Sequence, residues 1–427
     1  MTVIEGHAIA AHREPDWGQL IEHDRVHGSL YTDANVFEIE LDRIWRRGWV
    51  FIGHTSEIPN ANDFVMKSIG PEPLIMARGR DGDVHLLFNR CTHRGAEVCG
   101  VQRGNSATFT CPFHGWKFAS DGQLLGYPFS SGYGGRELKD QLGLARVARV
   151  DDVHGFVFGS MAQDGPSLRE HLGAAVEVFE RLVRLSPSGE VAVTTDWLHH
   201  SVRANWKLVV ENETDGYHPQ FVHASIFDVA DSGIGRLYGE RSTATARYLG
   251  GGHTENDLRS EFRRADQPLG WFGTSPDRVP DYVAQMEASY GEAAREILVD
   301  GSPHVMVWPN LFIAEIQLFV IQPLAVDATV QHVTAVQYPG CPDMNRRMLQ
   351  QTIGSVGPAG FLLADDSDLY ERNQRGLQAS KPEWLVVKRG LHRERLDDEG
   401  FLVGDATDEV TMRGIWRHYR SIMEAGA

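Results

Sequence analysis

The chain has only four cysteines in 427 residues, Cys91, Cys99, Cys111 and Cys341. So few exclude a disulfide framework at this size and point to a reducing compartment. No run of about twenty apolar residues occurs, which excludes an ordinary spanning helix. Basic charge is in deficit: 41 Lys and Arg stand against 58 Asp and Glu, a net charge of −17. That balance argues against nucleic acid and against an anionic membrane surface. Met1 to Gly18 lacks a basic head followed by an apolar core, so no secretory signal is expected and the location is read as cytoplasmic. There is no repeat of fixed period and no low-complexity segment. No G-x-G-x-x-G follows a strand pattern, and the four-cysteine spacing of plant-type ferredoxins is missing. The chain therefore carries no nicotinamide or flavin module of its own.

What is present begins with two mixed pairs. Cys91-Thr92-His93 is followed, seventeen residues later, by Cys111-Pro112-Phe113-His114. Two thiolates and two imidazoles in this order suit a [2Fe–2S] centre in which histidines replace the cysteines of one iron. Zinc also takes two cysteines and two histidines, but a common zinc finger groups like with like. Gly95 and Gly115 follow the pairs and permit close backbone approach.

Short strand-like runs surround these pairs: 49–52, 64–66, 74–76, 84–88 and 155–159, separated by Pro59-Asn60, Gly70-Pro71 and Asp81-Gly82. They predict a compact β-rich domain over 46–160. Before it, Asp33 looks like a helix N-cap, with Val36, Phe37, Ile39, Leu41, Ile44 and Trp45 at helical spacing. After it the chain mixes helix and strand. A helix is expected from Asn205, strands over 312–320 and 329–336, a helix from Gly357-Pro358 to about Gln374, and an amphipathic last helix over 407–423. Residues 1–45 and 161–427 then form a second, α+β domain. Gly250-Gly251-Gly252 is either a loop over a site or a turn.

A second metal site is read in Glu211-Asn212-Glu213-Thr214-Asp215-Gly216-Tyr217-His218-Pro219-Gln220-Phe221-Val222-His223. On one unbroken helix His218 and His223 would point about 140° apart. Pro219 disfavours helix in the residue before it, so a kink there is expected to bring both rings to one point. Two imidazoles and one carboxylate make the facial triad of iron(II) sites that handle oxygen. The carboxylate is sought in the helix after Gly357. There Phe361, Leu362, Leu369 and Tyr370 define an apolar face, and Asp365 and Asp366 flank it at similar angles. Period does not separate these two; Asp368 points away. His154, His199 and His200 fall outside any ligand pattern, and Cys99 and Cys341 are read as buried thiols.

Together the two motifs resemble the large (alpha) subunit of Rieske non-haem iron ring-hydroxylating oxygenases, from about Leu30 to about Asn373. The resemblance implies a Rieske domain followed by a catalytic domain with a helix-grip-like antiparallel sheet. It implies that Cys91 and Cys111 hold one iron of the cluster and His93 and His114 the other. It implies that His218, His223 and Asp366 bind one mononuclear Fe(II), and that Asp215 bridges His218 to His114 of a neighbouring subunit. The implied assembly is an alpha trimer, or alpha trimer with a small beta subunit. Electrons would come from NAD(P)H through a reductase, with or without a ferredoxin. The implied reaction adds both atoms of O2 to an aromatic substrate, giving a cis-dihydrodiol. The Asn212-to-Asp215 spacing is similar to that of benzoate-, anthranilate- and terephthalate-type members and favours an aromatic carboxylic acid, which an arginine would grip. Neutral mono- or polycyclic arenes, monooxygenation and demethylation are the alternatives within the family. A Rieske electron carrier without oxygen chemistry is the alternative outside it; the chain's length and the second site speak against it.

Arg94, Arg103 and Lys117 near the cluster loops form a candidate docking patch for an acidic electron donor. Charge reversal at Arg94 and Lys117 is expected to slow reductase-driven turnover in low salt; unchanged steady-state rates would remove the patch.

Overall fold

The computed structural model describes residues 14–134, 138–139, 141–193, 196–225, 237–239, 241–357 and 360–426. The expectations for residues 1–13 and for Pro358 and Ala359 lie outside these ranges. Asp33 caps the first long helical stretch by accepting from Asn35 N, and Ala34–Glu40 runs on into a π-helical turn, Leu41–Arg46. Three small antiparallel sheets follow. Val84–Phe88, Glu72–Arg78, Asp63–Ile69 and Arg103–Asn105 form one in that order. Thr108–Thr110, Lys117–Ala119 and Leu124–Gly126 form the second. Arg149–Val153, Phe156–Ser160 and Val50–His54 form the third. Every strand expected here is present.

The remainder is built on a ten-stranded antiparallel sheet among the described residues. Its central order is Ala328–Gln337, Gln317–Ala325, Leu311–Ala314, His304–Val307, His253–Asp257, Thr245–Gly250 and Leu402–Asp405. Alternation along the strands buries both faces. Val305, Val307, Leu311, Ile313 and Leu318 pack into one core. Met306, Phe312, Phe319 and Val333 pack on the other side against Trp206, Val209 and Val210 of the helix Trp206–Thr214. The run expected as one strand over 312–320 is instead a hairpin. Glu315 turns the chain with φ 53°, a conformation usually left to glycine or asparagine. Gly250, Gly251 and Gly252, all at positive φ, make the turn between Thr245–Gly250 and His253–Asp257.

The helix Trp206–Thr214 is anchored by a buried ion pair. Lys207 Nζ lies 2.6 Å from Glu40 Oε1, and Trp206 Nε1 and Tyr419 Oη also donate to Glu40 at 2.8 and 2.7 Å. Tyr419 belongs to the last helix, Val410–Ala425, whose buried face includes Ile415, Trp416 and Met423 as expected. The N-terminal helix, the site-bearing helix and the last helix thus meet on one carboxylate. Glu40→Ala removes it and strands the Lys207 ammonium in the core. The expected cost is about 3–5 kcal/mol, measurable by denaturant or thermal unfolding of the purified protein.

Candidate metal centres

The two cluster loops are built alike. In the first, Gly95 N donates to Cys91 O at 2.8 Å and Cys91 N to Ala96 O at 2.8 Å. In the second, Gly115 N donates to Cys111 O at 3.0 Å and Cys111 N to Trp116 O at 2.8 Å. Gly95 and Gly115 take φ of 71° and 69°, where a side chain would be strained. Asn89 staples the first loop: its Oδ1 accepts from Val98 N and Cys99 N, both at 2.9 Å, and its Nδ2 donates to Cys99 O at 2.8 Å. Cys91 and Cys111 are buried. The His93 and His114 rings lie 4.5 Å apart, and Trp116 stacks on His93 at 4.9 Å. His93 Nδ1 is buried and makes no hydrogen bond. Two buried sulfurs, two adjacent imidazoles and an uncompensated ring nitrogen fit the donor set of a Rieske cluster.

The second site forms where Trp206–Thr214 ends. Asp215 sits at its C-terminus in extended conformation, and the short helix Pro219–Val222 begins after it. Gly216 is required between them, because an added Cβ would fall 2.0 Å from Ala406 O. Pro219 occupies the first turn of the new helix and makes no kink. His218 keeps helical angles despite the proline. The residue that departs is His223, at φ −100° and ψ 18°. The expected convergence is thus reached by unwinding at His223.

Nε2 of His218 lies 3.6 Å from Asp366 Oδ1, and Nε2 of His223 lies 3.3 Å from the same oxygen. One ligand atom from each of the three residues falls within 4.8 Å of the others. Asp366 is buried and its Oδ1 accepts no hydrogen bond. Asp365 stands on the other side of the His223 ring, 3.9 Å from Nδ1, with its side chain 44% exposed. On the helix Phe361–Gly376 the buried positions among the described side chains are Leu363, Asp366, Tyr370 and Gln374, so the inward face runs through Asp366. Of the face expected there, Tyr370 is buried and Leu362 and Leu369 are half-buried, while the Phe361 side chain lies outside the described ones. Asp368 pairs with Arg372 at 2.7 Å on the surface.

Asp215 Oδ1 accepts from Tyr217 N at 2.7 Å, and Oδ2 from His218 N at 3.2 Å. The same Oδ2 lies 3.5 Å from His218 Nδ1. The carboxylate therefore stands behind the imidazole, whose Nδ1 makes no hydrogen bond within the protein, with Nε2 toward Asp366. Sequence reasoning missed Glu213, which is half-buried and accepts from Gln331 Nε2 at 2.6 Å. Burial first and the nearby Asp366 second push its carboxyl up to about 8. Its place between Asn212 and Asp215 in the motif was the available signal. His199 and His200 are engaged elsewhere, with His332 and Ser367.

Two imidazoles and one carboxylate, each presenting an atom to a common point, fit iron(II) with positions left open. His218→Ala is expected to lose the mononuclear iron while the visible absorbance of the cluster stays. Asp366→Ala is expected to do the same, and Asp365→Ala to retain the metal. Iron content and absorbance spectra of the three variants check this.

The comparisons with known proteins agree with this geometry. Residues 48–139 match the Rieske [2Fe–2S] domain family, and residues 189–425 match the ring hydroxylating alpha subunit (catalytic domain) family. The 2-halobenzoate 1,2-dioxygenase large subunit of Burkholderia cepacia is 28% identical, over 92% of each chain. The anthranilate 1,2-dioxygenase large subunit of Acinetobacter baylyi is 31% identical, over 86% of this chain and 81% of that one. The crystal structure of a naphthalene 1,2-dioxygenase with indole in its active site superposes with a TM-score of 0.81, at 28% identity over 95% of this chain and 93% of that one. With a Rieske [2Fe–2S] centre, a His-His-Asp site for mononuclear iron and both family matches in one polypeptide, this chain belongs to the Rieske non-haem iron ring-hydroxylating dioxygenases, as their alpha subunit.

Proposed function

We propose that the chain adds dioxygen across a double bond of an aromatic substrate to give a cis-dihydrodiol, with electrons delivered from outside. The observation that carries this reading is the convergence of His218, His223 and Asp366, together with the loops that present Cys91, His93, Cys111 and His114. In this reading those four residues hold the cluster and the triad holds the iron. When bound, the two centres supply one-electron transfer and oxygen activation. The chain's own residues do the positioning. Asp215 braces the turn that carries His218 through two backbone hydrogen bonds and comes within 3.5 Å of its Nδ1, the place a carboxylate takes behind a ligating histidine. The proposed domain division is 46–160 for the cluster domain and 1–45 with 161–427 for the catalytic domain. It is supported by the packing of Trp17 on Tyr419 and of Tyr31 on Trp416.

Large apolar side chains are exposed at both centres. Phe113 and Phe129 lie near the cluster, and Tyr217 and Phe221 flank His218. Such groups on two separate faces fit a head-to-tail contact between copies, which closes a ring. The proposed assembly is a trimer of alpha subunits, with or without beta subunits, in which Asp215 of one protomer meets His114 of the next. A reductase, with or without a ferredoxin, supplies electrons. Arg94 and Lys117 are exposed and available to such a donor, whereas Arg103 is held by Asp196 at 3.2 Å.

For the substrate, the interior favours an arene without a free carboxylate. Among the described residues the buried cations are Lys207, Arg247 and Arg413. Each is matched by carboxylates: Glu40 for Lys207, Glu255 and Glu399 for Arg247, and Glu394 for Arg413. The second reading is an aromatic acid, supported by the Asn212-to-Asp215 spacing and by the halobenzoate and anthranilate relatives. Oxygen uptake coupled to product identification, with a compatible reductase and a panel of arenes and aromatic acids, separates the two. Asp215→Asn is expected to retain both metals and lose product formation by about 10- to 100-fold, as for removal of a group that orients a metal-bound histidine. Full activity in that variant would contradict the bridge.

A further inference from the structure

The strand register sets one row of side chains across the sheet face that backs the triad. His304 stands opposite Ala314, Ala314 opposite Gln317, and Gln317 opposite Ala335. One step beyond the Glu255–Val305 pair, the same register sets Asn256 opposite His304. Opposed residues on adjacent strands share a face, so the row reads Asn256, His304, Ala314, Gln317, Ala335. This face looks toward the site. Asn256 Nδ2 donates to Thr214 O at 3.4 Å, one residue before Asp215. The His304 ring meets Phe312 at 4.9 Å and Tyr238 at 6.4 Å. Tyr238 in turn lies against Gly216.

The row is polar where a core would be apolar. Asn256 and Gln317 are 3% and 2% exposed, yet Asn256 Oδ1 and Gln317 Nε2 make no hydrogen bond. Buried polar atoms are nearly always paired, and leaving them unpaired is costly. Two such atoms in one row, with an imidazole between them and small alanines beside them, are accounted for by a ligand that completes the bonds. Their chemistry is complementary: Asn256 offers an acceptor, Gln317 a donor, and His304 ring nitrogens that serve as either. A carboxylate offers acceptors only and leaves Asn256 Oδ1 unpaired. An alkyl group leaves both atoms unpaired. A carboxamide or urea offers both an N–H and a C=O.

We propose that Asn256, His304 and Gln317 are specificity-determining residues that read a neutral carboxamide- or urea-type substituent on the aromatic substrate. The assignment rests on the dioxygenase reading above, which supplies the ring's place beside the triad. The test uses the holoprotein, with cluster and iron loaded, under anaerobic calorimetry with benzamide, benzoate and isopropylbenzene, three probes of similar shape. Benzamide is expected to bind about tenfold or more tightly than either of the others, the factor one satisfied polar pair supplies. In Gln317→Leu and in His304→Phe that ratio is expected to collapse toward one. Tightest binding of benzoate or of isopropylbenzene in the unaltered protein, or a benzamide preference that survives both substitutions, would overturn the proposal. Gln317 stands two strands from His304, so it decides the matter if His304→Phe fails to load iron. A protein that sorts the probes as expected but oxidises no aromatic ring with reductase and oxygen would sink the dioxygenase reading and leave the row's role as a binding site standing.

Discussion

A single oxygen, Oδ1 of Asp366, faces two imidazole nitrogens from a distant part of the chain and accepts no hydrogen bond from the protein. Holding three such groups together is unfavourable until a cation joins them, so the scaffold must enforce the approach. The enforcement is legible in the packing. Trp206–Thr214 lies on the sheet through Trp206, Val209 and Val210. Its first turn is fixed by Glu40, and Glu211, further along, accepts from Tyr31 at 2.7 Å and Trp416 at 2.6 Å. Leu363 and Tyr370 seat the helix that brings Asp366 from the other side. Removing any of these contacts acts on the metal through distance.

The cluster end follows the same logic at shorter range. Two turns of one design, each closed by a glycine at positive φ, present a thiol and an imidazole apiece. Asn89 ties one of them to the neighbouring backbone with three hydrogen bonds. Local closure of this kind is why the cluster pattern can be read from seventeen residues of spacing, whereas the mononuclear site needs the whole catalytic domain to assemble.

That difference explains how much the sequence disclosed. The strands around the cluster carry period-two patterns bounded by glycine, proline and asparagine, and all were legible. The hairpin at Glu315 was not, because its turn uses an acidic residue at φ 53° in place of those signals. The apolar pattern of Phe361, Leu362, Leu369 and Tyr370 sets Asp365 and Asp366 at similar angles, so the period does not choose between them. Leu363, Asp366 and Tyr370 are three and four residues apart and share one inward stripe. The proline in the histidine motif suggested a kink, but proline at the start of a helix is compatible with continuing it. The polar row of Asn256, His304 and Gln317 had no sequence signal at all, since only strand register brings those residues together.

The central claim is that one polypeptide carries both an iron–sulfur pair and a separate mononuclear iron. Analysis of anaerobically purified protein for iron and acid-labile sulfide per chain tests it most directly, with the paramagnetic spectrum of the reduced sample alongside. The account predicts about three irons and two sulfides, and a signal typical of a histidine-ligated [2Fe–2S] centre. Two irons with two sulfides would reduce the protein to an electron carrier, and iron without labile sulfide would contradict the account altogether.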